Sequence, residues 1–426
     1  MNRPASLPQQ IAAGLLCIGT LLQFASQARA DLLTAHFFES GISRLDEVTG
    51  QPTQSGQIPA GTAGLAGPAG LDFGPDGNLY VSSQFTGEIL RFNGTTGQPL
   101  PSPLAGGRDG LFADLGAGAS PGLIRFGPDG NLYVGDPAVE NVRVVDGTSG
   151  SLLGNAIDGN ALAAPGLTIG FTFAPDGTLL VGKSSPIFQG SIFQVDESGM
   201  ATEIVPPGTA GLQSVNAMLI GPEGELYVAD LFGNQILKFD DVNGTNPQTF
   251  AVLPPEIPNP LPPGAGFPSN FPSDLVLDPD GNLLVSVLGL TNPAMGGDNR
   301  GAVLKYSLDG TLLETIAEGI SPVSALLSTD VPGDYNDNGL TEQGDLDLVL
   351  GYWGAGAEPL PDEWRSQRPA DGGIVDQAEL DRILANWGAS RVSLAGAAAV
   401  PEPTTAMIAL LAVAVSIVAC GRRKPS

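Results

Sequence analysis

Twelve residues near the end of the 426-residue chain carry the most specific chemistry in it. Asp334, Asn336, Asn338, Glu342 and Asp345 place oxygen-bearing side chains at positions 1, 3, 5, 9 and 12 of one short loop. The Leu340 carbonyl falls at position 7, and Gly339 sits at the sharp turn. Hard oxygens at this spacing wrap around a calcium ion, with position 9 often acting through water. These six residues are therefore the candidate metal ligands, and calcium the expected cofactor. The surrounding segment repeats at an offset of 34. Gly339, Leu340, Gln343, Leu346, Asp347, Leu350, Trp353 and Gly354 are answered by Gly373, Ile374, Gln377, Leu380, Asp381, Leu384, Trp387 and Gly388. In the second copy Arg368, Ala370 and Gly372 take positions 1, 3 and 5, leaving only Asp376 and Glu379. A cation at position 1 repels the ion, so one bound calcium is expected rather than two. The alternative is that these acids cap and solvate helices.

A second set of candidate residues recurs along the chain instead of clustering. Aligning its repeated units brings His36, Ser83, Asp136, Lys183, Asp230 and Val287 to one position, just after the second strand of each unit. In a closed ring such positions recur around one face. His36, Asp136, Lys183 and Asp230 would then form a polar rim able to bind a metal or a small ligand. The alternative is that Asp at this point hydrogen-bonds its own loop, as Asp does in turns. A Ser–His–Asp triad would have to use His36, the single histidine, and nothing around it forms a nucleophile elbow.

These positions rest on an internal repeat. The segment 73–81, FGPDGNLYV, returns unchanged at 126–134 and as variants at 173–181 (with Ala174 and Thr178), 220–228 (with Pro-Glu-Gly) and 277–285. Pro75 presets φ for the first turn position, Asp76 suits the second and Gly77 can take φ > 0, so each copy is a tight hairpin. Copies start 47 to 57 residues apart, which suits a four-stranded propeller blade of about 40–50 residues. Within one unit the strands read as a (Leu71 to Phe73), b (Leu79 to Ser82), c (Glu88 to Phe92) and d (near Gln98 to Leu104). Leu32 to Pro52 aligns without a gap on Leu79 to Pro99, matching Ile42 to Ile89, Arg44 to Arg91 and Gly50 to Gly97. That first unit lacks strand a, and Ser321 to Ser328 supplies one at the other end. Five whole blades and one split closing blade make an all-β six-bladed propeller over 31–330, with no bare sheet edge left between the termini. Gly/Ala-rich 105–120 and Pro-rich 254–272 read as insertions between blades, and 288–300 as a long b–c loop in the fifth complete unit. Such loops carry recognition or act as spacers.

The repeat resembles the six-bladed NHL and gluconolactonase-like propellers; LYVADLFGNQILKFD at 226–240 is close to an NHL repeat. The resemblance implies a fold and leaves activity open, since propellers host binding, scaffold, lyase and lactonase functions alike. Gluconolactonase-like enzymes would imply a divalent metal held by Glu, Asn and Asp. Asn216 and Asp230 are conceivable matches, but strand a offers Leu71, Ile124, Phe171, Met218 and Leu275 where a Glu would stand. A streptogramin-lyase-like reaction would imply histidines that the repeats lack.

Fifty-nine glycines and 37 prolines punctuate many short strands, and the formal charge of −27 excludes nucleic acid as a partner. Residues 1–30 read as a secretory signal peptide: Arg3, an apolar run from Ile11 to Phe24, then Ala28, Arg29 and Ala30 at the cleavage site. A retained membrane helix is the alternative, although the run is shorter than the ~20 residues that span a bilayer. Cys17 leaves with the signal and Cys420 lies in the C-terminal apolar run, so the exported body has no disulfide.

The duplicated segment 331–388, with Asp at position 12 and an apolar helix directly after it, is similar to type I dockerin modules, a small α-helical EF-hand-like fold. That resemblance implies a cohesin-like partner. After the linker 389–399, residues 400–426 carry Pro401, Glu402 and Pro403, an apolar run from Ala406 to Cys420, and Arg422, Arg423 and Lys424. This order resembles the PEP-CTERM sorting signal of Gram-negative-type bacteria. It implies a transient membrane helix with its C-terminus in the cytoplasm, an exosortase-type processing enzyme, and release to the cell surface, outer envelope or extracellular matrix. A plain tail anchor is the alternative. The expected protein is a recognition or scaffold propeller that meets a surface glycan or protein ligand. The competing class is a metal-dependent lactonase- or lyase-like enzyme with its site at the channel mouth.

Overall fold

The computed structural model describes residues 30–46, 49–53, 56–158, 167–184, 189–196, 198–254, 270–278, 280–289, 301–320, 322–329, 335, 341, 343–354, 375 and 377–385. The expected signal peptide up to residue 29, five of the six expected calcium ligands, and the expected linker and sorting signal at 389–426 lie outside them.

Among the described residues, twenty-three strands form six antiparallel sheets. The chain opens with β1 (Ala30–His36) and β2 (Gly41–Asp46). The second blade is β3 (Pro68–Phe73), β4 (Leu79–Ser83), β5 (Glu88–Phe92) and β6 (Leu111–Asp114), and the third is β7 (Ile124–Phe126), β8 (Leu132–Asp136), β9 (Asn141–Val145) and β10 (Leu152–Asp158). The fourth is β11 (Leu167–Phe173), β12 (Leu179–Ser184), β13 (Ser191–Val195) and β14 (Ala201–Val205). The fifth is β15 (Ala217–Ile220), β16 (Leu226–Asp230), β17 (Gln235–Phe239) and β18 (Gln248–Val252), and the sixth is β19 (Asn270–Leu277), β20 (Leu283–Gly289), β21 (Gly301–Tyr306) and β22 (Leu312–Ile320). The last strand, β23 (Pro322–Thr329), returns to pair with β1, Leu32 opposite Leu327, and so closes the ring. The first blade is thus β23-β1-β2, and its fourth strand is reduced to two isolated bridges, Ile42 to Ile58 and Leu45 to Pro52.

Each a–b hairpin turns as its residues dictate. Gly77, at φ 71°, donates its N–H to Gly74 O, and Asp76 accepts from the Asn78 backbone and side chain and from the Tyr80 hydroxyl. Asp129, Asn131 and Tyr133 repeat the arrangement in the third blade. Apolar side chains facing the neighbouring blade bury between sheets; Leu71, Phe73, Leu79, Val81, Leu90 and Phe92 pack against Leu33, Ile42 and Leu326 of the first blade.

One strand falls elsewhere than its sequence reads. The outer strand of the second blade is Leu111–Asp114, inside the Gly/Ala-rich stretch, not near Gln98 to Leu104. Pro99, Pro101 and Pro103 remove the N–H groups a ladder needs, and only an isolated bridge from Phe92 to Pro99 survives there. Part of 105–120 is therefore blade, not an insertion between blades. Likewise 270–272, from the end of the Pro-rich stretch, belongs to β19.

Beyond the ring, α1 (Gln343–Gly351) and α2 (Gln377–Ala385) begin and end 34 residues apart, as the internal repeat requires. Leu346 and Val349 of α1 meet Leu380 and Ile383 of α2, with Tyr335 and Val375 completing one small core.

Candidate functional site

The aligned position after strand b is buried and internally engaged in every blade whose residue there is described as polar. Asp230, fully buried, accepts from Gln213 N, Ser214 N, Ser214 Oγ, Gly233 N and Gln235 Nε2 at 2.8–3.2 Å. It staples the segment entering strand a to its own b–c loop. Asp136 does the same with Ser120 N and Ala138 N, and pairs with Arg143 at 2.9 Å. Ser83 Oγ accepts from Ala66 N. Lys183 is 1 % exposed, its Nζ 3.2 Å from Glu140 of the preceding blade's b–c loop. His36 Nε2 lies 3.1 Å from Thr34 Oγ1, and burial lowers its pKa against the opposing pull of Glu39, which favours the neutral ring. His36, Asp136, Lys183 and Asp230 each engage groups of their own or the neighbouring blade. The loop-stapling alternative describes both aspartates.

The channel mouth is lined instead by the residue one place further on. Phe37, Gln84, Pro137, Leu231 and Leu288 follow His36, Ser83, Asp136, Asp230 and Val287, and they surround a cavity of about 240 Å³ with Ala69, Gly122, Leu123, Asn216, Ser273 and Val323 from the starts of the inner strands. A shift of one residue at a strand end reverses the direction of the side chain. The wall so formed is mainly apolar, and among the described residues it contains no ionisable side chain. Asn216 donates Nδ2 to Ser273 O at 2.6 Å, and Ser273 Oγ lies within 3.2 Å of Ser286 O and Pro322 O.

Further along the inner strands lies a charged cluster that the sequence reading missed. Arg125 on β7 reaches Asp274 on β19 at 3.3 Å and donates to the carbonyls of Leu71 and Ile124. The inner strands succeed one another around the ring, so β7 and β19 stand three blades apart in either direction, and this ion pair spans the channel. Asp274 also accepts from Ser324 Oγ at 2.6 Å, Leu275 N and Ala325 N. Asp72, beside them, accepts Phe126 N with one oxygen, while its other is buried without a hydrogen bond. Burial raises its pKa to about 6, with Arg125 pulling the other way. The strand-a positions compared for a metal-binding Glu, such as Leu71 and Ile124, face the blade cores; their neighbours Asp72 and Arg125 carry the charge. Polar residues inside apolar strands were the available signal.

In the helical pair, Asp345 is fully buried in the first turn of α1, and its Oδ1 accepts Tyr335 N at 2.8 Å. Its repeat partner Glu379 is 3 % exposed in the first turn of α2, and the Tyr335 hydroxyl donates to the Glu379 carbonyl. A buried carboxylate at position 12 is the type of side chain a calcium ligand set would use there. Asp334, Asn336, Asn338, Leu340 and Glu342 lie outside the described residues. Among the described residues no group of three acids, histidines or cysteines gathers at a metal-binding spacing.

The fold and its channel define a closed six-bladed β-propeller. No family model matches the chain, and no curated protein does. Among solved structures it is similar to a chain of a nidogen/laminin complex, at 13 % identity and TM-score 0.49 over 70 % of this chain and 98 % of that one. It is similar at 13 % identity and TM-score 0.48 to a protein of unknown function from Bacteroides caccae, over 70 % and 98 % of the two chains. A virginiamycin B lyase from Staphylococcus aureus gives 13 % identity and TM-score 0.39 over 58 % of this chain and 68 % of that one. At these identities the likeness is one of fold.

Proposed function

We propose that this is an exported, surface-sorted recognition or scaffold protein, whose propeller binds its ligand at the channel mouth and whose segment 331–388 is a dockerin-like module ordered by one calcium ion. The observation that carries the binding role is the mouth itself: a concave, preformed, mainly apolar cavity with a few amide groups and, among the described residues, no ionisable side chain on its wall. Such a lining suits binding, whereas acid–base chemistry needs a titratable group within reach of the ligand.

Calcium would be held by Asp334, Asn336, Asn338, the Leu340 carbonyl, Glu342 and Asp345. Three carboxylates and an Asp at position 12 suit extracellular calcium, on the order of 10⁻⁵–10⁻³ M. The segments 1–30 and 400–426 supply export and surface sorting through an exosortase-type enzyme, and a cohesin-like domain is the partner for the helical module. Among the described residues no helix is long and apolar enough to cross a membrane.

A lactonase- or lyase-like enzyme is the second reading, and the observation in its favour is Asp72, a carboxyl poised near neutrality in the channel. The test is a binding screen of residues 31–400 against surface glycans and co-exported proteins, with metal analysis of the same sample. Saturable binding that does not turn the ligand over supports recognition. Turnover that is lost in Asp72→Asn overturns it in favour of catalysis.

A further inference from the structure

The mouth cavity states its own ligand chemistry more closely than "a glycan or a protein". We infer that it binds an uncharged aromatic ring bearing a hydrogen-bonding group at each of two opposite ends, an inference that rests on the mouth being the recognition site.

Size comes first. An apolar cavity of 150 Å³ takes up benzene, so about 240 Å³ holds on the order of ten non-hydrogen atoms, one ring with short substituents. The polar groups on the wall are few and mostly spent. Ser273 has its hydroxyl on two carbonyls, and Asn216 has its Nδ2 on Ser273 O. Among the described lining side chains what remains is the Gln84 amide, with no hydrogen-bond partner among the described residues, and Asn216 Oδ1. Gln84 follows β4 of the second blade and Asn216 precedes β15 of the fifth, which stand on opposite sides of the ring. Two polar points therefore face each other across apolar walls.

A pyranose fits this poorly, because hydroxyls all around its ring would be pressed against Phe37, Leu123, Pro137, Leu231 and Leu288 with nothing to bond. A charged ring fits no better: the described wall residues offer no counter-charge, and the formal charge of −27 repels anions. An aromatic ring meets both constraints. It would also extend an existing cluster, since Phe37 makes edge contacts with Phe38 and Phe85 at 5.3 and 5.0 Å between centroids, and Phe85 is 63 % exposed. The ring can belong to a free small molecule or to a tyrosine side chain of a partner; the chemistry is shared.

The test is calorimetric titration of the exported chain with para-hydroxybenzyl alcohol, para-hydroxybenzoate, methyl glucoside and N-acetyl-tyrosinamide. The alcohol should bind saturably, the benzoate about tenfold more weakly, and the glucoside not at all. Tighter binding of N-acetyl-tyrosinamide than of the alcohol would assign the ring to a partner protein, and weaker binding to a free small molecule; both support the class. Leu231→Trp fills the cavity and should abolish binding. Gln84→Leu, whose amide holds nothing in the fold, should weaken it roughly fivefold with the melting temperature unchanged, and it carries the test if the tryptophan variant does not fold. Glucoside binding that Leu231→Trp abolishes would overturn the ligand class and leave the mouth as the site. Binding of every probe indifferent to both variants would overturn both.

Discussion

The ring and the helical pair bury acids in opposite ways. In the ring, Asp230 receives five protein donors and Asp274 is held by Ser324, Ala325, Leu275 and Arg125, so the hydrogen-bonding capacity of these carboxylates is met by the fold itself. In the helical pair, Asp345 and Glu379 begin two short helices around a core of six buried side chains, next to a loop that brings Asp334 and Glu342 by sequence. A domain that small seldom holds together without a staple or a metal. The contrast teaches that Asp230 and Asp274 of the ring are accounted for by donors of the fold, whereas Asp345 both accepts Tyr335 N and falls by sequence at position 12 of a loop rich in oxygen ligands.

The largest test of that contrast removes the ring's closure. Deleting 322–329 strips the inner strand from the first blade, along with buried Ala325 and Leu326, and should leave an aggregated or unfolded propeller; circular dichroism and light scattering would show it. Asp230→Ala should cost roughly 3–5 kcal/mol in urea denaturation, because it leaves several buried donors without an acceptor. Calcium should separate the two regions. At a hundredfold excess over its dissociation constant it should stabilise the helical pair by about 2.7 kcal/mol while the ring's transition stays put, and Asp334→Ala or Asp345→Ala should remove the effect. Movement of the ring's transition with calcium would break the contrast.

The smallest expected effect belongs to Asp72. Its folded pKa of about 6 exceeds the unfolded value near 4, so the fold prefers the protonated form. No penalty applies below about pH 4; it grows as pH rises to about 6, and is complete above that. Asp72→Asn should therefore flatten the profile and raise stability by roughly 2 kcal/mol at pH 8, as read from denaturation at pH 4 and pH 8.

Blade count and closure were legible because each rests on pairs of residues repeated in order: the turn around Pro75, Asp76 and Gly77, and the match of 32–52 to 79–99. The channel was not. Alignment finds which residues share a position, such as Asp136 and Asp230, but the direction each side chain takes depends on where its strand ends, and one residue separates a buried staple from the lining Pro137 and Leu231. Arg125 and Asp274 are 149 positions apart, and only the closed ring brings them together. The outer strand at 111–114 was hidden because Gly/Ala-rich sequence has weak strand preference, while the prolines before it mimic a strand's spacing without its donors.

Joining β1 to β23 also sets a timetable. Asp31 waits for Ser328, so a chain made or threaded from its N-terminus stays an open arc with bare edges until its last propeller strand arrives. Bringing such distant ends together costs about 5 kcal/mol of chain entropy before the contact returns anything. Folding of this ring should thus be slow, governed by a single late encounter, and the arc that precedes it is the species a chaperone or a second copy would meet.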